Sequence, residues 1–211
     1  MPTDEKKEIA VCGIVRLRRQ GEISIEEFRN SLTPKANKSM LAGATFSSPP
    51  VLDDLRFLDL DAKDIASMKQ CTVGDCDLKL SAEMIKRLQT EIEWNAIDYQ
   101  AQATQWFRIM ILAYVEGYKK SGDNSLIQYY DKKKPVSVSA EQQILLDKSL
   151  FINEMSPEFA KYLGTYPRFA LSGVEDSIEW SKITFGMKPT VTLTHTSAFA
   201  RQDHGLSQYL V

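Results

Sequence analysis

Three groups of side chains in this chain have types and spacings that bear on chemistry. Cys71 and Cys76 bracket the turn Thr72-Val73-Gly74-Asp75. A redox pair is normally spaced C-x-x-C, and this C-x4-C pair misses that pattern. Metal binding needs about four ligands, and only acidic neighbours such as Asp75 and Asp77 stand nearby in sequence. The plainer reading is a local disulfide, or two packed thiols, across the turn. With Cys12 left over, the cysteines do not fix a redox compartment.

His195 is the second group. It falls in Thr190–Phe199, TVTLTHTSAF, whose alternation is the clearest strand signal in the chain. There it shares a face with Val191, Leu193 and Phe199, so it is expected to be buried or to line a cavity. A neutral, hydrogen-bonded core histidine is the plain reading. A pocket-lining donor or general base, paired with Asp75, Asp77 or Glu179, is the functional one. His204 lies in a polar turn, Arg201-Gln202-Asp203-His204-Gly205, and reads as solvated. The third group is the aromatics Trp94, Tyr99, Trp106, Phe107, Tyr114 and Tyr118, which suit either an ordinary core or a ligand cavity. The pocket candidates carried forward are His195, Trp106, Tyr99 and Trp180. No Gly-x-Ser-x-Gly, Walker loop, dinucleotide fingerprint, His-Glu-x-x-His or EF-hand loop occurs, so no catalytic residue, metal or cofactor is assigned.

The elements that must position these groups centre on Ser81–Lys120. Ser81 is a good N-cap, and Lys119-Lys120-Ser121-Gly122 is a cationic last turn before a glycine stop. Ile85, Leu88 and Ile92 repeat at helical spacing, and Tyr99, Ala103, Trp106, Met110 and Ala113 form a second stripe. The stripes meet near Asn95, which predicts two helices or one bent helix covering a sheet. Residues 8–18 alternate as a strand, and Ser24 with Glu27 makes a capping box. Residues 39–47 read as the next strand, stopped by Ser48-Pro49-Pro50. Asp61 caps a short helix carrying Ile65 and Met68, and Asp75–Leu80 alternates again. Asn124–Asp131 reads as a short helical turn, Lys132–Lys134 as an exposed loop, and Ser139 and Ser156-Pro157 as openings of further helices. Val174–Phe185 is a strand with a phase shift at Lys182 that suggests a bulge. Gly186-Met187-Lys188-Pro189 links it to the His195 strand.

The 211 residues suffice for a sizeable core. The pattern predicts a single α+β domain over 1–211, with a largely antiparallel sheet packed against the long central helical region. A helix-grip (START-like) arrangement is the nearest fold analogy. A net charge of −2 supplies no field to recruit nucleic acid, so no nucleic-acid partner is expected. No apolar run reaches the roughly 18 residues that span a bilayer. As the sequence stands it reads as cytoplasmic, or as periplasmic if a leader has been removed. Tyr209-Leu210-Val211 looks like the opening of a strand, which suggests truncation at the C-terminus.

Cys71-Thr-Val-Gly-Asp-Cys-Asp-Leu-Lys-Leu80, with Trp180-Ser-Lys-Ile-Thr-Phe-Gly-Met-Lys-Pro189 and Thr194-His195, resembles a family of uncharacterised bacterial proteins, often exported. The resemblance covers most of the chain. It implies a periplasmic protein whose chain continues further, and it brings neither an activity nor catalytic residues. Three functions stay open on the sequence. The first is a non-enzymatic binding or accessory protein with an apolar cavity near His195, taking a small apolar ligand. The second is a hydrolase-type or other acid–base enzyme using His195 with a carboxylate. The third is a subunit that joins a protein partner, or a copy of itself, through an edge strand.

Overall fold

The computed structural model describes residues 24–32, 40–185, 188–203 and 206–211. The strand expected over 8–18, with Cys12, and the turn at His204 lie outside these residues. Ser24 and Glu27 form the expected capping box at the start of α1 (Ile25–Leu32). Ser24 Oγ accepts from the Glu27 amide at 3.0 Å, and Glu27 Oε2 accepts from the Ser24 amide at 3.1 Å. β1 (Met40–Thr45) ends just before the Ser48-Pro49-Pro50 break. α2 (Ala62–Gln70) starts at Asp61, whose carboxylate accepts from the Lys63 and Asp64 amides, each at 2.9 Å.

The central helical region is two helices, α3 (Ala82–Glu91) and α4 (Tyr99–Ser121), broken across 92–98. Ser81 caps the first, its Oγ accepting from the Met84 amide at 3.1 Å. Asp98 caps the second by position only, because its carboxylate takes the Gln102 side chain instead, at 2.9 Å. Ile85, Leu88 and Ile92 are buried as the spacing predicts. The α4 stripe is wider than expected. Phe107, Ile111 and Val115 join Ala103, Trp106 and Met110 in the core, while Ala113 stays exposed. Neighbours cover α4 on more than one side, so a single stripe under-reports its buried surface.

Next come β2 (Gln128–Tyr129) and β3 (Val136–Ser137), a two-stranded ribbon. α5 (Val138–Lys148), α6 (Leu150–Met155) and α7 (Pro157–Thr165) follow. The helical turn expected over 124–131 sits earlier, at Gly122–Ser125, and the cap of α5 is Ser137 rather than Ser139. Asp75–Leu80 forms no strand. Its groups are taken up singly: Cys76 N donates to the Asp131 carbonyl and Tyr130 N to that of Leu80, while Gly74 N, just before it, donates to the Tyr130 carbonyl. Cys71 and Cys76 are joined as a disulfide across this turn, with Cα atoms 4.5 Å apart. Lys132–Lys134 are exposed.

β4 (Val174–Phe185), β5 (Lys188–Asp203) and β6 (Leu206–Leu210) complete the main sheet, ordered β1-β4-β5-β6 and antiparallel throughout. The architecture is therefore α+β, with one long helix against an antiparallel sheet. Pairing of β4 with β5 is regular as far as Phe185–Lys188, so Lys188 and Pro189 belong to the strand. The irregularity expected at Lys182 lies on its partner, where Leu41 is the extra residue between the Met40–Ile183 and Ala42–Lys182 pairs. Tyr209 and Leu210 close β6 on β5 rather than opening a strand.

The sheet's inward face serves two hydrophobic clusters. The larger joins Ile178 and Trp180 to α2, α3 and α4, with Trp180 Nε1 donating to the Asp54 carbonyl at 2.9 Å. The smaller joins Phe159, Tyr162 and Tyr166 to Phe199 of β5. Arg201 of β5 fastens α7 over it, contacting Glu158 Oε1 at 3.1 Å and donating to the Met155 carbonyl at 2.8 Å. Tyr118, in the last turn but one of α4, packs against both clusters.

Candidate functional site

The register of the β4–β5 hairpin builds the site. His195 pairs with Ile178 and Ser197 pairs with Asp176, so all four side chains project from one face. Asp176 and His195 are diagonal neighbours, close enough for polar groups to meet. His195 Nε2 lies 2.9 Å from Asp176 Oδ1, and Ser197 Oγ donates to the same oxygen at 2.7 Å. The Tyr162 hydroxyl of α7 donates to Asp176 Oδ2. On the far side of the ring, His195 Nδ1 lies 2.8 Å from the Tyr118 hydroxyl. Tyr166, just past α7, lays its ring 4.5 Å from the imidazole, centroid to centroid, and 5.3 Å from that of Tyr118.

Glycine is required where this corner is tightest. Gly122 has φ of 56°, and a Cβ there would sit 1.7 Å from the Tyr166 carbonyl oxygen. The end of α4 and the end of α7 thus meet backbone to backbone, which fixes Tyr118 and Tyr166 relative to each other.

The electrostatics assign the protons. The side chain of Asp176 keeps 27% exposure and that of His195 keeps 16%. Burial works to raise the Asp176 pKa. Hydrogen bonds from His195, Tyr162 and Ser197, together with the charge of His195, outweigh it and hold the carboxyl below its ordinary 3.8. Asp176 is thus an anion taking three donors. Neutral His195 then carries its proton on Nε2 and leaves Nδ1 as an acceptor, so the Tyr118 O–H donates to it. Burial, reinforced by Tyr166, Asp123 and Asp176, pushes the Tyr118 pKa well up, and burial with the Asp176 bond does the same to Tyr162. Both phenols stay protonated.

The cluster borders a half-open cleft of about 260 Å³, lined by Tyr118, Tyr166, His195, Ser197, Gln142 and Leu163 among others. It lies at the seam between the two hydrophobic clusters. Of the four pocket candidates, His195 alone lines this cleft. Trp106 and Trp180 are buried in the larger cluster, each with its indole N–H satisfied, and Tyr99 packs on Trp94 at 6.3 Å.

The carboxylate beside His195 is Asp176, not Asp75, Asp77 or Glu179. Asp75 and Asp77 sit on the disulfide turn, where Asp77 takes the Ser67 hydroxyl at 3.0 Å. Glu179 pairs with Thr194 and projects from the other face of the sheet. One signal could have found Asp176. It stands two residues before Ile178, in phase with Ile178 and Trp180, so strand alternation alone puts it on the His195 face. Tyr162 and Tyr166 arrive from a separate helix and carry no such signal. Among the described residues, no group of three or more His, Cys, Asp or Glu side chains is placed to hold a metal ion. No described helix is long and apolar enough to cross a membrane.

No family model, no curated protein and no solved structure matches the chain. What the site does is therefore argued from its own geometry.

Proposed function

We propose that this is a binding protein that holds a small, partly apolar ligand in the cleft beside His195. The observation that carries the reading is the state of the polar cluster. Asp176 is saturated by three donors, and both ring nitrogens of His195 are engaged. The Asp176 charge, though partly exposed, is taken up by these donors, and no member is an activated nucleophile. Such a network fixes neutral hydrogen-bonding groups in place at the edge of a half-apolar cleft, which is what recognition of a small ligand needs.

Native mass spectrometry of the gently purified full chain tests this. A bound small molecule that is lost in His195→Ala is expected. Bare protein, with no amide resonance around Tyr118 and Ser197 responding to any member of a fragment library, refutes it.

One observation favours a second reading, an acid–base enzyme. Tyr118, His195 and Asp176 form an unbroken hydrogen-bonded line from the cleft to a carboxylate. The raised Tyr118 pKa disfavours a tyrosinate nucleophile, so here the phenol would pass a proton between His195 and a substrate. Turnover that is lost in His195→Gln while ligand binding persists would favour this reading over the first.

A further inference from the structure

We propose that the Tyr118 hydroxyl sets the specificity of the cleft, accepting a hydrogen bond from ligand when His195 is neutral and donating one when His195 is protonated. The inference rests on the reading that the cleft binds a ligand. It follows from which atoms each proton can occupy.

In the neutral ring, Nε2–H donates to Asp176 and Nδ1 accepts the Tyr118 proton. A phenol has one proton, so with it given to Nδ1 the Tyr118 oxygen has only lone pairs to offer a ligand in the cleft that Tyr118 lines. It suits a ligand N–H or O–H. When the ring takes a second proton, Nδ1 becomes a donor and the 2.8 Å contact reverses: Nδ1–H donates to the Tyr118 oxygen. The phenolic proton must rotate away and becomes available to the cleft, which then suits a ligand carbonyl, ether or ring nitrogen. No atom needs to move except hydrogen. The ligand class follows for each state: hydrogen-bond donors for the neutral site, acceptors for the protonated one.

The groups facing this switch come from every element packed on it. Asp176 of β4 holds Nε2, with Ser197 of β5 and Tyr162 of α7 behind it. Tyr166 lies tilted against the imidazole and Gln142 of α5 lines the cleft. Asp123 and Tyr114 act electrostatically on Tyr118. Asp176 stays ionised near neutrality and Tyr118, Tyr162 and Tyr166 stay protonated, so the site left for a further proton in this contact is Nδ1 of His195.

Two neutral probes that do not titrate over roughly pH 5 to 8 test it. Indole offers only a donor, and acetophenone only an acceptor. Each is titrated into ¹⁵N-labelled full-length protein, and affinity is read from amide shifts around the cleft. Once the ring spectrum shows His195 doubly protonated, indole should bind more weakly and acetophenone more tightly than to the neutral form, each by roughly fivefold, the net worth of one neutral hydrogen bond. Tyr118→Phe should abolish both trends. A long-range ¹H–¹⁵N spectrum of the ring, which needs no variant, should show Nδ1 as the bare nitrogen in the neutral state. The proposal is overturned if Nε2 is bare, if both probes bind without opposed pH trends, or if the trends survive in Tyr118→Phe. In all three cases the ligand-binding reading stands. If neither probe binds at any pH the selector falls, and the ligand-binding reading falls with it only when no member of the fragment library binds either.

Discussion

Asp176→Asn is the sharpest single perturbation of the cluster, because it keeps size and removes only charge. In the wild type Oδ1 takes two donors and Oδ2 takes one. A hydrogen bond to a charged acceptor contributes about 1.5–3 kcal/mol and a neutral one about 0.5–1.5, so each loses about 1 kcal/mol on neutralisation. Three such losses would total about 3 kcal/mol. The 27% exposure of the side chain screens part of this, and bonds sharing one acceptor are not additive, which brings the expected cost to about 2 kcal/mol. The asparagine amide also turns toward the Tyr162 hydroxyl, which must rotate from donor to acceptor. For a chain of this length the loss corresponds to a fall in Tm of about 4–8 °C.

The pH dependence carries the sign. Asp176 is held below its ordinary 3.8 in the folded state. A group with a depressed folded pKa contributes stability that is fully present above the unfolded value and is lost as pH falls through the folded one. Urea unfolding of wild type and variant, followed by far-ultraviolet circular dichroism, should show a gap that is present near neutrality and closes only below 3.8. A gap under about 0.5 kcal/mol at neutral pH, or one that persists unchanged to about pH 2, refutes the assignment of Asp176 as the saturated anion.

Gly122→Ala should cost at least about 3 kcal/mol, since the new Cβ meets the Tyr166 carbonyl oxygen at a positive φ; amide shifts at Tyr166 and Tyr118 should change even if the variant folds. Trp180→Phe should destabilise by about 2 kcal/mol in urea unfolding, because it removes the bond to the Asp54 carbonyl and opens space at a side chain 1% exposed. Intact-mass analysis after alkylation should show Cys71 and Cys76 modified only after reduction, and reduction should cost about 2 kcal/mol for so short a loop. Sedimentation velocity across a wide concentration range tests the edge-strand assembly: a strict monomer removes it.

The parts of the fold that a single stretch of sequence determines were legible in it. The interruption between α3 and α4 was visible, as a break or a bend, because the apolar phase changes near Asn95, and the closeness of Cys71 and Cys76 because both bracket one turn. The inward setting of His195 followed from the Thr/apolar alternation of β5. Asp75–Leu80 misled because alternation reports an extended backbone, whereas a strand also needs a partner. Its partners here are isolated carbonyls and amides at Tyr130 and Asp131, far along the chain. The site escaped for the same physical reason. Asp176 is fixed by hairpin register, Tyr162 and Tyr166 by how α7 docks on β5, and Tyr118 by where α4 stops, and these arrangements converge only in three dimensions.

The position of the cluster argues that stability alone does not explain it. Tyr118 already touches both hydrophobic clusters, so apolar side chains in place of Asp176, His195 and Ser197 would let the two merge into one continuous core. Replacing buried charged groups by well-packed apolar ones is commonly neutral or favourable. Instead the seam holds a carboxylate that is desolvated only in part, and three donors that must be aligned to it. The bonds outweigh the burial of Asp176, and the network also has a geometric effect that an apolar core would lack. It fixes one tautomer of His195, one orientation of Tyr118 and one wall of a cleft. Those are the attributes the proposed ligand-binding reading requires, and they lie where Tyr118 meets both hydrophobic clusters.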